Sequence, residues 1–239
     1  MKPVLVLQHL NSDGPAYLAT WMRREGVPVE LRNTDAGESY PEHMDAFSAL
    51  AILGGEMSAN DPLPSLRRAE VLILDAMARG YPVIGHCLGG QLMARALGAR
   101  IGASLAPEVG WHPLTPHDSQ ATRHWFGDDP LGPVFQWHEE AFELPLGATL
   151  LASSPACRHQ AFAIGAHLAM QFHVEVDEEK LRRWSRLDAD AYRALQRRHA
   201  TVHSGPSMRE GMAEHLGVQQ VLANRVYARW LAGVRERAG

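Results

Sequence analysis

The stretch Tyr81-Pro82-Val83-Ile84-Gly85-His86-Cys87-Leu88-Gly89-Gly90-Gln91 constrains this chain more than any other part of it. A β-branched apolar run ends at Gly85, and from Leu88 to Leu97 apolar residues recur at helical spacing. The pattern predicts a strand, a sharp turn and a helix, with Cys87 at the apex. Glycines two residues either side of that apex suit a turn too tight for Cβ atoms, the mechanics of a nucleophile elbow with sulfur in place of a serine oxygen. The helix start also places unpaired N–H groups and the positive dipole end beside the sulfur.

The surrounding segments predict the fold. Val4-Leu5-Val6-Leu7 reads as a buried parallel strand followed by the polar turn Asn11-Ser12-Asp13-Gly14-Pro15 and a helix carrying Leu18, Trp21 and Met22. Val27 to Leu31 reads as a second strand, Ala49 to Leu53 as the end of a third, and Leu66 to Arg79 as a helix closed by Gly80. Strands alternating with helices at this spacing predict right-handed crossovers and an α/β fold with a doubly wound, mostly parallel sheet, in which ligands gather at the carboxyl ends of the strands. From Ile101 to Leu151 the helical period fades into Trp, His, Pro and Gly, which predicts short antiparallel strands and long loops. Phe162 to Glu175 reads as a further strand pair. Beyond Asp177 the pattern is helical, broken at Ser204-Gly205-Pro206, with a last amphipathic run holding Val218, Val221, Leu222, Val226 and Trp230. We expect one domain over 1–239, with a catalytic body over about 1–176 and a C-terminal helical extension over about 177–239.

Composition narrows the setting. With 239 residues, 46% of them hydrophobic, the chain can bury a full core. No apolar run has transmembrane length and no signal-peptide pattern follows Met1, so no membrane association is expected. Two cysteines, Cys87 and Cys157, fit a reducing, cytoplasmic compartment better than a disulfide framework. The net charge of −4 argues against nucleic acid as a partner. Residues 1–176 hold 11 Lys+Arg and 19 Asp+Glu, whereas 177–239 hold 12 and 8, so the tail is expected to pack in part against its own acidic body, with its other charges solvated.

A cysteine nucleophile needs a base, and the base an orienting group. In Met170-Gln171-Phe172-His173-Val174-Glu175, residues two apart on an extended segment point to one side, so His173 and Glu175 can address one site. A lone His-x-Glu carries little weight among thirteen histidines. It gains from Leu53-Gly54-Gly55-Glu56, where glycines after a strand let backbone N–H groups approach a substrate; with the N–H of Leu88 they can form an oxyanion hole. The elbow alone leaves a protease, a hydrolase and a redox sensor open.

Taken together, these stretches resemble the class I (triad) glutamine amidotransferases, in the stand-alone branch similar to the amidotransferase domain of GMP synthase. The resemblance runs from Val4-Leu5-Val6-Leu7-Gln8-His9 through the Gly54-Gly55 and Cys87 motifs, Gly110-Trp111-His112-Pro113 and Gln136-Trp137-His138 to Phe172-His173-Val174-Glu175. It implies a flavodoxin-like sheet, Cys87, His173 and Glu175 as the catalytic triad, and Gly55 and Leu88 as oxyanion-hole donors. It also implies Gln91, Gly54 and His138 as substrate-binding residues. No metal and no cofactor are implied. The substrate is a small molecule, L-glutamine, whose amide leaves as ammonia through a γ-glutamyl thioester. The chain departs from the family at Val174, where relatives commonly carry Pro, at Gly90, where a larger side chain is common, and at Glu139, where Gly is common. A carboxylate at 139 changes which γ-glutamyl compound fits, so a γ-glutamyl peptidase or hydrolase is the alternative reading. A non-catalytic regulatory protein of the same fold is the third.

Other signals are weaker. His86, beside the nucleophile, is expected to pack rather than act as base, and Cys157 reads as a small buried hydrophobe. His9 stands at the end of the first strand, in or beside the site. His112, His117 and His124 match no tight ligand spacing and read as loop histidines. Lys2 and Lys180 are the only lysines, so no phosphate loop of the Gly-x-x-x-x-Gly-Lys type exists, and no Gly-x-Gly occurs. Any acceptor chemistry for the ammonia is therefore expected from a separate synthetase chain. The apolar stripe of the tail reads as core packing, with a homodimer face as its alternative.

Overall fold

Val4–Gln8 is buried along its whole length, as a strand covered on both faces must be, and forms β1 of the computed structural model, which describes residues 1–236. The chain continues through α1 (Ala16–Arg24), β2 (Val29–Asn33), β3 (Ala49–Ile52), α2 (Pro64–Ala78), β4 (Val83–His86) and α3 (Leu88–Ala96). The long strand β5 (Ile101–His112), the short β6 (Thr115–Pro116), α4 (Gln120–Phe126) and β7 (Val134–Phe142) follow. Next come β8 (Thr149–Ser153), β9 (Ala161–Ile164) and β10 (His167–Met170), then α5 (Glu178–Trp184), α6 (Asp190–Arg198) and α7 (Gly205–Glu236).

Eight strands form one sheet in the order β2-β1-β3-β4-β10-β9-β8-β6. The first five are mutually parallel and the rest antiparallel. This is the mostly parallel α/β sheet expected. Its consequence is positional: β1, β3 and β4 run side by side, so the segments after their carboxyl ends, His9 to Gly14, Leu53 to Gly55 and Cys87, meet on one edge. One face of the sheet packs on α1, α4 and α7 through Trp21, Phe126, Tyr227 and Trp230; the other packs on α2 and α3 through Leu72, Ile73 and Leu92. A third cluster joins the separate two-stranded β5–β7 ladder to the tail through Trp111, Phe135, Leu181 and Met208.

Three expectations change. The region from Ile101 to Leu151 contains a helix, α4, whose N-cap Ser119 accepts from the Thr122 N–H; at seven residues it is too short to impose a visible period. The strand pair read over Phe162 to Glu175 ends at Met170, so His173 follows a bend and Glu175 lies in a turn rather than both lying on one strand face. The tail divides once more than predicted, between α5 and α6, and the Ser204-Gly205-Pro206 break becomes the start of α7. The extension read to residue 239 is described to residue 236.

In α7, Leu222, Val226 and Trp230 are buried as predicted, whereas Val218 and Val221 are more than half exposed. Trp230→Ala is expected to remove about 3–5 kcal/mol of stability, because the indole is 1% exposed and its loss leaves a cavity between α7 and the sheet; chemical denaturation checks this. The charge asymmetry is partly closed across the fold: Arg225 pairs with Asp129 at 2.8 Å, and Lys180 pairs with Asp13 and Glu175, while Arg182 and Arg193 find acidic partners within the tail. Among the described residues, no helix is long and apolar enough to cross a membrane.

Candidate active site

Cys87 has φ 49° and ψ −110°, a strained conformation for a residue with a Cβ. Two hydrogen bonds hold it: its N–H donates to the Met170 carbonyl at 2.8 Å, and its own carbonyl accepts from Gln91 at 3.0 Å, the first bond of α3. The turn closes because the sheet leaves no room for side chains around it. A Cβ on Gly90 would stand 2.6 Å from the Met170 carbonyl oxygen, so a side chain at this position would push α3 off β10.

His173 is carried to the sulfur by the bend after β10, its N–H bound to the Phe135 carbonyl of β7 at 2.9 Å. Its Nδ1 lies 2.6 Å from Glu175 Oε1, and both side chains are buried. Glu175 reaches the ring from a turn, so the pairing predicted from strand alternation arises by a different backbone route. Nε2 has no partner of hydrogen-bond geometry, which leaves it for the sulfur. Burial alone would lower the proton affinity of His173, but the Glu175 carboxylate and the Cys87 sulfur outweigh it and hold the imidazole at about 10. Burial alone would likewise raise Glu175, yet His173, Lys180 and His86 hold its carboxyl well below the usual range.

Gly54 closes on this group: a Cβ there would lie 3.0 Å from His173 Cε1 and 2.9 Å from Asp13 Oδ2. A Cβ on Gly55 would meet the Leu88 side chain at 2.8 Å, so the two proposed oxyanion donors stand together. Leu88 is the first residue of α3 and has no acceptor inside the helix for its N–H. A cavity of about 360 Å³ opens over Cys87, His173 and Gly55 and is walled by Trp137, Trp184 and Tyr192. Trp137 stacks on Tyr192 at 5.7 Å and meets Trp184 edge-on at 5.5 Å, and Trp184 meets the edge of His173 at 5.1 Å. Its acidic wall residues are Asp13, Glu56 and Glu139.

The remaining predicted residues stand behind the cavity. Gln91 is buried and donates to the Glu140 carbonyl at 3.0 Å and to Gln171 Oε1 at 3.3 Å. His138 is not in the cavity wall; its Nε2 lies 3.2 Å from Glu108 Oε2, which also accepts from Gln160 at 2.6 Å. His9 is buried against Tyr40, its Nδ1 3.0 Å from the hydroxyl, and burial pushes it down to about 4. His86 packs at the back of Cys87, 3.3 Å from the Tyr227 hydroxyl. Burial pushes the Cys157 thiol up to about 12, which keeps it inert as a nucleophile.

Sequence reasoning passed over Gln171, whose Nε2 lies 3.6 Å from Cys87 Sγ, and the Trp137 carbonyl, also 3.6 Å from that sulfur. It also passed over Lys180 and Asp13, which pair beside Glu175. Lys180 did carry a signal: one of two lysines, it falls one turn into a helix whose N-cap, Asp177, accepts from the Lys180 N–H at 2.8 Å.

Residues 16–183 match the model of the family glutamine amidotransferase class-I. The glutamine amidotransferase-like protein YfeJ of Salmonella typhimurium is 34% identical, over 80% of this chain and 84% of its own. Gamma-glutamyl peptidase 3 of Arabidopsis thaliana is 37% identical over 66% of each chain. The crystal structure of a glutamine amidotransferase from Methylobacillus flagellatus superposes with a TM-score of 0.90 at 32% identity, covering 98% of this chain and 95% of that one.

Proposed function

The chain belongs to the class I glutamine amidotransferase family, and from that premise we propose that it cleaves the side-chain amide of L-glutamine with Cys87, His173 and Glu175. The observation that carries this reading is the strained Cys87 sharing one cavity with a His173 whose other ring nitrogen is held by Glu175. The sulfur attacks the amide carbon, and the carbonyl oxygen takes up negative charge towards the N–H groups of Gly55 and Leu88. His173 protonates the departing nitrogen, so ammonia leaves and a γ-glutamyl thioester stays on Cys87. His173 then takes a proton from water, whose oxygen displaces the sulfur and releases glutamate. Glu175 fixes the ring tautomer throughout. Gln91 and Gly54 hold the substrate end of the site, Gln91 through Gln171, while His138 braces the β7 strand that carries Trp137. Any transfer of the ammonia to an acceptor is assigned to chemistry outside these 239 residues, which carry no phosphate loop of the Gly-x-x-x-x-Gly-Lys type.

A second reading has its own support: Glu139 in the wall, with Trp137, Trp184 and Tyr192 around it, offers more room than the amide of glutamine fills. Such a cavity suits a γ-glutamyl peptide, in keeping with the name of the Arabidopsis relative. Steady-state rates with glutamine and with γ-glutamyl dipeptides separate the two. Glutamine is expected to give ammonia and glutamate in equal amounts with kcat/KM no lower than the dipeptides. A tenfold or greater preference for dipeptides transfers the assignment to the second reading, about 1.4 kcal/mol of transition-state binding.

A further inference from the structure

Lys180 is 2% exposed, a rare place for an ammonium group. Its Nζ bonds the Asp13 carboxylate, lies 3.3 Å from Glu175 Oε1, donates to the Gly14 carbonyl at 3.1 Å and sits 4.7 Å over the Trp184 ring. The oxygen it touches on Glu175 is the one His173 holds at 2.6 Å. Asp13, Lys180, Glu175 and His173 thus form a buried row of alternating charge that ends at the Cys87 sulfur. Burying an ammonium carries a desolvation cost of several kcal/mol, which a well-packed apolar side chain at the same place would avoid. The cost points to a role that only a fixed cation fills.

The catalytic cycle defines that role. When His173 gives its proton to the departing amine, Glu175 is left as a fully buried carboxylate beside a neutral ring. With no other cation it would recapture a proton or pull the ring out of place. We propose that Lys180, held by Asp13, is a positioning residue that keeps Glu175 ionised and its Oε1 fixed while His173 passes between its charged and neutral forms. This rests on the triad reading given above.

Everything that faces the row agrees. His86 of β4 and Tyr227 of α7 also face Glu175: burial lowers the proton affinity of the first, which makes it a smaller contributor than Lys180, and raises the hydroxyl of the second well above the usual range, so it supplies no cation. His9, near Asp13, is pushed down by burial and adds none. Lys180 itself is raised: burial lowers it, but Glu175 and Asp13 outweigh that. Lys180 and Trp184 stand four residues apart on α5, one against Glu175 and the other against His173, so the first helix of the C-terminal extension becomes part of the catalytic apparatus.

The test is the pH dependence of Cys87 inactivation by iodoacetamide and of kcat, in the wild-type chain and in Lys180→Met. Removing the cation takes a positive charge away from the buried row that ends at the His173–Cys87 pair. The inactivation profile is therefore expected to move to higher pH by about half a unit or more, and kcat to fall by about tenfold to a hundredfold. An unchanged profile and kcat in a folded Lys180→Met overturns the proposal. If the Met variant does not fold, Asp13→Asn is read instead: it keeps the ammonium but removes the carboxylate that holds it, so kcat must fall while the profile moves the opposite way, to lower pH, and an unchanged kcat and profile overturns the proposal. Failure of the triad reading looks different, since the Cys87→Ser chain would then still release ammonia from glutamine.

Discussion

Cys87→Ser is expected to lower glutamine hydrolysis by on the order of a thousandfold or more, with the fold unchanged. Serine fits the turn because it keeps the Cβ and differs by one atom. The hydrogen bonds that hold the elbow, from Cys87 N–H to Met170 and from Gln91 to the Cys87 carbonyl, belong to the backbone. A hydroxyl is a far weaker nucleophile than a thiolate in a site shaped around sulfur, so the first step slows by orders of magnitude. Cys157→Ser is the matched control. That side chain is 1% exposed and away from the cavity, so its replacement is expected to cost some stability and leave the catalytic step intact. Ammonia release measured for both variants, with their thermal midpoints, separates the nucleophile from the buried bystander.

The second large effect is expected from Gly89→Ala. A Cβ at Gly89 would collide with the carbonyl oxygen of Ile52 and come within 2.8 Å of its carbonyl carbon, and both belong to β3 rather than to a side chain that can swing away. Either α3 lifts off the sheet or the strand shifts. We expect a loss of about 3 kcal/mol and, because the elbow is displaced with the helix, a fall in kcat of roughly a hundredfold in whatever protein still folds. Gly102→Ala is the control, since nothing lies within 4 Å of the added methyl group; it is expected to change stability by less than about 0.5 kcal/mol. Urea denaturation of the two variants tests the contrast.

The parts of this molecule legible in its sequence are those governed by local rules. The elbow could be read because tight packing of a helix start on a strand demands glycine at fixed offsets from the nucleophile. The parallel strands could be read because burial on both faces leaves only apolar residues, as in Val4 to Leu7. Other features depend on what is brought near from afar. The Lys180–Asp13 pair joins residues 167 positions apart, and no periodicity records it. The cavity wall is assembled from Trp137 on β7, Trp184 on α5 and Tyr192 on α6, whose meeting follows from how the extension folds back over the sheet edge. His138 shows the converse: a motif places it beside Trp137, but strand alternation turns its ring to Glu108 while the Trp137 side chain faces the cavity. The His173–Glu175 pair was read from a strand pattern that does not extend so far, and a turn brings the two side chains together instead.

The central claim is that Cys87 attacks the γ-carbonyl region of a glutamine-like substrate. The most direct measurement is intact mass and peptide mapping after exposure to a diazo-ketone analogue of glutamine, with glutamine and γ-glutamyl dipeptides as competing protectants. The account predicts a single adduct on Cys87, none on Cys157, and protection by the substrate that the site accepts. No adduct, or an adduct on Cys157 with Cys87 unmodified, would contradict it.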